Sequence, residues 1–137
     1  MNNGTPAPVS EQQVRALREK PFGWCFIGTG KLAHIVAKKI MASGCHRIVS
    51  VYTRRPEAGE AFVKKFGGTA YADPEQAMTA PGVEGVYVVT PHTSHFTYSV
   101  QALNLGKPVL CEKPVTTDAS KAEALAALAE EKQGYFA

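Results

Sequence analysis

Three short stretches hold residues whose types and spacing could do chemistry. In "FIGTGKLAH", residues 26–34, Gly28 and Gly30 stand one residue apart, directly after an apolar run and directly before a segment with helical spacing. Gly28 permits a tight turn, Gly30 lets backbone come close to a pyrophosphate, and Ala33 is small enough for helix and strand to pack closely. The N–H groups and positive dipole end of the following helix would then meet the phosphates. The plainer alternative is a glycine turn that holds no ligand.

The second stretch bears on which nucleotide. About 20 residues after such a fingerprint, an NAD site usually carries Asp or Glu to accept from the ribose 2′-hydroxyl. Here Thr53-Arg54-Arg55 takes that place, and no carboxylate lies between His46 and Arg55. A guanidinium can pair bidentately with a 2′-phosphate and stack on adenine, so NADP is favoured and NAD is the second choice. As a lone basic pair, the two arginines would merely solvate a surface turn.

The third feature is a pair of loops, "TPHTSH" (90–95) and "CEKP" (111–114), each ending an apolar run with a proline. Both are expected beside the nicotinamide end of such a cofactor, although proline-bearing polar turns also end many ordinary strands. His92 and His95 have three-residue spacing, yet no third ligand lies in sequence reach, so no metal is expected. His34 and His46 are expected to face solvent or to pack.

Elements must position these loops. Ser10 with Gln13 makes a capping-box start for a short helix ending before Pro21, after a leader over residues 1–9 expected to be disordered. Strands are expected at 24–27, 47–53, near Tyr71, at 85–90 and at 108–112, and helices at 30–42, from Pro56 to Gly67-Gly68, after Asp73-Pro74, up to Gly106 and at 118–132. Short, continuously apolar strands alternating with helices mean a parallel sheet covered on both faces, a doubly wound α/β domain. In such a sheet, ligands sit beyond the carboxyl ends of the strands, where all three features fall. The last residues, 134–137, are expected to enter a sixth strand.

Composition narrows the classes. The 137 residues are 45% hydrophobic and 20% charged with a net charge of +3, and the basic residues are scattered, so nucleic acid is not implied. Cys25, Cys45 and Cys111 have no CxxC spacing, which suits a reducing cytoplasm. No apolar stretch approaches the ~20 residues that span a bilayer, so no membrane partner is expected.

Taken in order, "GTGKLAH", "TPHTSH" and "GKPVLCEKP" resemble the Gfo/Idh/MocA oxidoreductase family over roughly residues 22–137, the last motif being the most distinctive. The resemblance implies a nicotinamide-binding Rossmann domain paired with a C-terminal α/β domain built on a large, mainly antiparallel sheet. It places Gly28, Thr29, Gly30, Lys31 and Leu32 along the dinucleotide and Thr53, Arg54 and Arg55 at the adenosine end. Thr90, Pro91, His92 and His95 would line the nicotinamide side, and Glu112, Lys113 and Pro114 would meet cofactor and substrate. Lys113, which contacts the reacting hydroxyl in the family, and His95 are the expected catalytic groups; a histidine proposed as base comes from the family's second domain.

The expectation is therefore the cofactor domain of an oxidoreductase moving hydride between NADP(H) and a sugar, cyclic polyol or related compound. Residues 1–21 form a leader and short helix and 22–137 the Rossmann domain. A C-terminal substrate domain is expected to lie outside these residues, so turnover by this chain alone is not expected, and the full-length protein is expected to be a homo-oligomer. Two alternatives stand beside it. A non-catalytic nucleotide-binding sensor or scaffold would not need Lys113, and a methyltransferase using S-adenosylmethionine would favour an acid where Arg54-Arg55 stands.

Overall fold

The apolar runs assemble into one parallel sheet, seen in a computed structural model that describes residues 7–116 and 118–137. The expected leader lies outside the described residues as far as residue 6. Ten elements alternate after a first helix, α1 (Glu11–Glu19): β1 (Phe22–Ile27), α2 (Lys31–Ser43), β2 (His46–Tyr52), α3 (Pro56–Phe66), β3 (Thr69–Tyr71), α4 (Pro74–Met78), β4 (Gly85–Val88), α5 (His95–Asn104), β5 (Val109–Cys111) and α6 (Ala119–Glu131). The capping box forms as expected, with Gln13 N donating to Ser10 Oγ and Ser10 N donating to Gln13 Oε1.

Strand order is β3-β2-β1-β4-β5, all pairs parallel. The central strands β1 and β4 are apolar throughout, and β4 is buried along its whole length, because both faces of the sheet are covered there. Along β1, Phe26 points to the side of α2 and α3, where it packs with Val51, Phe62 and Tyr87. Its neighbours Cys25 and Ile27 point the other way, among Val86, Val88, Leu103 and Leu125. Ala33 and Ala37 are fully buried, which brings α2 close against the sheet.

Beyond β5, Tyr135 O accepts from Val109 N at 2.8 Å and Ala137 O from Cys111 N at 2.7 Å, so the last residues run beside β5 in a single parallel bridge where the sixth strand was expected. Strand bounds differ from expectation at the loop ends. β4 stops at Val88 rather than residue 90, since Pro91 offers no N–H and the chain turns away into one turn of 3₁₀ helix, His92–Ser94, before α5.

Candidate functional site

The chain runs outward from β1 to β2 and β3, then crosses back to β4 on the other side of β1. The loops after β1 and β4 therefore part at the carboxyl edge, where a parallel sheet leaves a crevice. That crevice is a cleft of about 550 Å³.

Its floor is the first loop. Gly28 has φ +110°, and its N–H donates to Tyr52 O at 2.8 Å, tying the turn to the end of β2. A Cβ there would lie 2.9 Å from the backbone carbon and oxygen of Val89. Gly30 is different: its φ is −73°, and a Cβ would meet no heavy atom within 4 Å. It is the N-cap of α2 and supplies no side-chain cap, so the first N–H groups of that helix open toward the cleft. Thr29, Lys31 and Leu32 line the same floor.

One wall carries Thr53, Arg54 and Arg55, with both arginines exposed at the start of α3. Thr90, Pro91 and His92 form the opposite wall, and Ser94 Oγ donates to Thr90 Oγ1 at 2.7 Å, fixing that turn. Glu112 and Lys113 close the far end, Lys113 exposed, and the Lys113–Pro114 bond is cis. The structure thus gathers residues of all three stretches around one cleft, while Pro114 and Ala33 do not line it.

His95 differs from the others in what it offers. It opens α5 with 1% of its surface exposed. Its Nδ1 lies 2.7 Å from Pro114 O and its Nε2 2.6 Å from Thr90 O, so both ring nitrogens face carbonyl oxygens, and a neutral ring, with one N–H, donates to one of them. The structure places His95, expected as a catalytic group, as a buried link between the two loops at the edge of the cleft it helps to line.

The cleft also holds residues the motifs did not single out. Tyr52, the last residue of β2, and Tyr98 on α5 meet edge to face with centroids 5.9 Å apart, making an aromatic wall beside Arg54. Burial, then contact with Tyr98, raises the Tyr52 phenol above its ordinary value. Tyr98 stands three residues after His95, one helical turn along the face that turns toward the cleft. Glu112 accepts a hydrogen bond from the Tyr87 hydroxyl of β4, and burial followed by that contact raises the Tyr87 phenol. Both shifts favour the neutral phenol.

The cysteines do no chemistry of this kind. All are free and buried, and burial pushes the Cys25 thiol up to about 12. Among the described residues, no group of three metal-ligating side chains is found and no helix is long and apolar enough to cross a membrane.

A parallel α/β sheet with a glycine turn and an uncapped helix N-terminus at its switch point defines a dinucleotide-binding Rossmann domain. Residues 22–137 match the oxidoreductase family with NAD-binding Rossmann fold called Gfo/Idh/MocA, and the chain belongs to that family. It is 31% identical to a D-xylose 1-dehydrogenase (NADP(+)) of Hypocrea jecorina, over 80% of this chain and 32% of that protein. It is 33% identical to a glucose-6-phosphate 3-dehydrogenase of Bacillus subtilis, over 76% of this chain and 29% of that protein. Among solved structures, a 3-ketoreductase from Actinomadura kijaniata in complex with NADP and TDP-benzene superposes with a TM-score of 0.79 at 30% identity, covering 84% of this chain and 36% of that one. GenD2 from gentamicin A biosynthesis in complex with NAD gives 0.81 at 26% identity, covering 85% and 34%. The chain spans about a third of the length of these relatives.

Proposed function

We propose that this chain is the cofactor-holding part of an oxidoreductase that uses NADP(H) in preference to NAD(H) and acts on a carbinol or carbonyl carbon of a sugar, cyclic polyol or related compound. The observation that carries this is the convergence of the glycine floor, the arginine wall and Lys113 on one cleft at the switch point.

The residues fit the cofactor. The open space beside Gly30 admits a pyrophosphate where a methyl group would stand, and the uncapped α2 terminus supplies N–H donors to it. Arg54 and Arg55 offer charge-assisted contacts to a 2′-phosphate, and the Tyr52–Tyr98 wall offers an apolar side to adenine. When bound, the nicotinamide supplies a hydride acceptor or donor.

Lys113 is the catalytic group this chain contributes. Its ammonium donates a hydrogen bond to the substrate oxygen and stabilises the negative charge that develops there during oxidation, or polarises a carbonyl in reduction. The relatives named above support the substrate class, being dehydrogenases of xylose and of a hexose phosphate and a ketoreductase. A cytoplasmic location and a homo-oligomeric complete protein belong to the same proposal. The chain alone holds cofactor without turnover, because an open cleft lacks the groups that fix a substrate within reacting distance.

Calorimetric titration of the chain with NADP+ and NAD+ tests the cofactor assignment. Tighter binding of NADP+ is expected, and equal affinities would refute the role given to the arginines.

A further inference from the structure

Lys113 sits in an exposed turn, yet each of its chain neighbours is tied down by a buried side chain from another element. On one side, Tyr87 is 3% exposed in the middle of β4 and donates its hydroxyl to the Glu112 carboxylate, which it meets across the strand pair β4–β5. On the other side, His95 is 1% exposed and its ring spans the gap between Thr90 O and Pro114 O at 2.6 and 2.7 Å. Tyr87 is held in turn by Phe26, edge to face at 5.0 Å, and Thr90 by Ser94. A lysine side chain has four flexible carbons, so aiming its ammonium requires the backbone beneath it to be fixed.

We propose that Tyr87 and His95 are positioning residues that aim Lys113 into the cleft, Tyr87 by holding Glu112 and His95 by holding Pro114 to the loop after β4. The purpose of the aim rests on Lys113 being the catalytic group; the clamp itself does not. A buried hydroxyl or ring N–H left without an acceptor is costly, and here the acceptors on offer are Glu112 and the carbonyls of Thr90 and Pro114.

The test uses the chain labelled with nitrogen-15, reading the backbone order parameter of the Lys113 amide. In the native chain it is expected near the rigid value of about 0.85, and in Tyr87→Phe and His95→Leu it is expected to fall toward about 0.6. Tyr87→Phe keeps the ring against Phe26 and removes only the hydroxyl, so it decides the matter even where His95→Leu fails to fold. Conservative rescue separates positioning from bulk packing: Glu112→Gln still accepts from Tyr87 and should keep the native order, whereas Glu112→Leu should match Tyr87→Phe. The Phe26 amide of β1 should stay rigid throughout. An unchanged Lys113 amide in Tyr87→Phe and Glu112→Leu would overturn the clamp. The catalytic assignment fails separately: if the carbon-13 signal of methylated Lys113 in the native chain does not move when NADP+ is added, Lys113 does not face the cofactor, whatever the order parameters show.

Discussion

Gly28 and Gly30 are one residue apart and should answer the same substitution in opposite ways. Alanine at position 28 would adopt φ +110° and place its Cβ 2.9 Å from Val89 backbone atoms. Backbone strain costs about 1–2 kcal/mol and the forced shift of β4 about 1–3, together about 3 kcal/mol of folding stability. Unfolding entropy of about 2.1 cal/mol/K per residue, over 137 residues, is about 0.29 kcal/mol/K, so Gly28→Ala should lower Tm by about 10 °C. Alanine at position 30 keeps an ordinary φ of −73° and meets nothing within 4 Å. Its weaker capping and its lower unfolded-state entropy roughly cancel, leaving Tm within about 2 °C. Its methyl group, however, fills the space proposed for the pyrophosphate, and NADP+ affinity should fall about tenfold or more. Thermal unfolding without ligand and calorimetric titration with NADP+ read the two effects. A Gly30→Ala chain that binds NADP+ as tightly as the native one would refute the cradle, and a Gly28→Ala chain of native Tm would refute the assigned turn.

Replacing Arg54 with Ala removes one charge-assisted contact of about 1.5–3 kcal/mol, so NADP+ affinity should drop about tenfold or more by calorimetry while NAD+ affinity hardly moves. In an active protein carrying this domain, Lys113→Met should lower kcat about 10² to 10³-fold with NADP+ affinity within a few-fold; an unaffected kcat would return Lys113 to a structural role. Trp24 Nε1 donates to His46 Nδ1 at 2.9 Å, and burial holds His46 below its ordinary 6.5. The unfolded chain therefore takes up the proton first, and stability present above 6.5 is lost as pH falls below it; the drop in Tm between about pH 7.5 and about pH 5.5 should be larger for the native chain than for His46→Asn. With its thiol pushed up to about 12, Cys25 should resist thiol reagents in the folded chain at about pH 8 and react once guanidinium unfolds it.

The sheet was legible because parallel strands are buried on both faces, so runs such as "GVYVVT" carry the signal without alternation, and Gly44, Gly67 and Gly106 end the helices between them with positive φ. The cleft was legible for a topological reason: the carboxyl ends of parallel strands all fall on one edge, whatever the loops between them do. The burial of His95 was not read from its motif, although a signal existed. His95, Ser99, Ala102 and Leu103 are the buried residues of α5, at i, i+4, i+7 and i+8, so the histidine lies on the inward stripe of its helix rather than in the loop before it. The Tyr87–Glu112 bond joins residues 25 apart in sequence through the register of β4 with β5, which no local pattern encodes. Tyr52 and Tyr98 likewise meet only because β2 and α5 flank the same edge.

The central claim is that a nicotinamide dinucleotide lies across the carboxyl edge of this sheet with its phosphates at the start of α2. Titrating the nitrogen-15 chain with NADP+ and mapping the amide shifts tests it most directly. The largest changes should fall at Gly28–Leu32, with further changes at 53–55, at 90–92 and at 112–113, and in Arg54→Ala the response at 53–55 should weaken. Saturable shifts confined to another face of the sheet, or no shifts at millimolar NADP+, would contradict it.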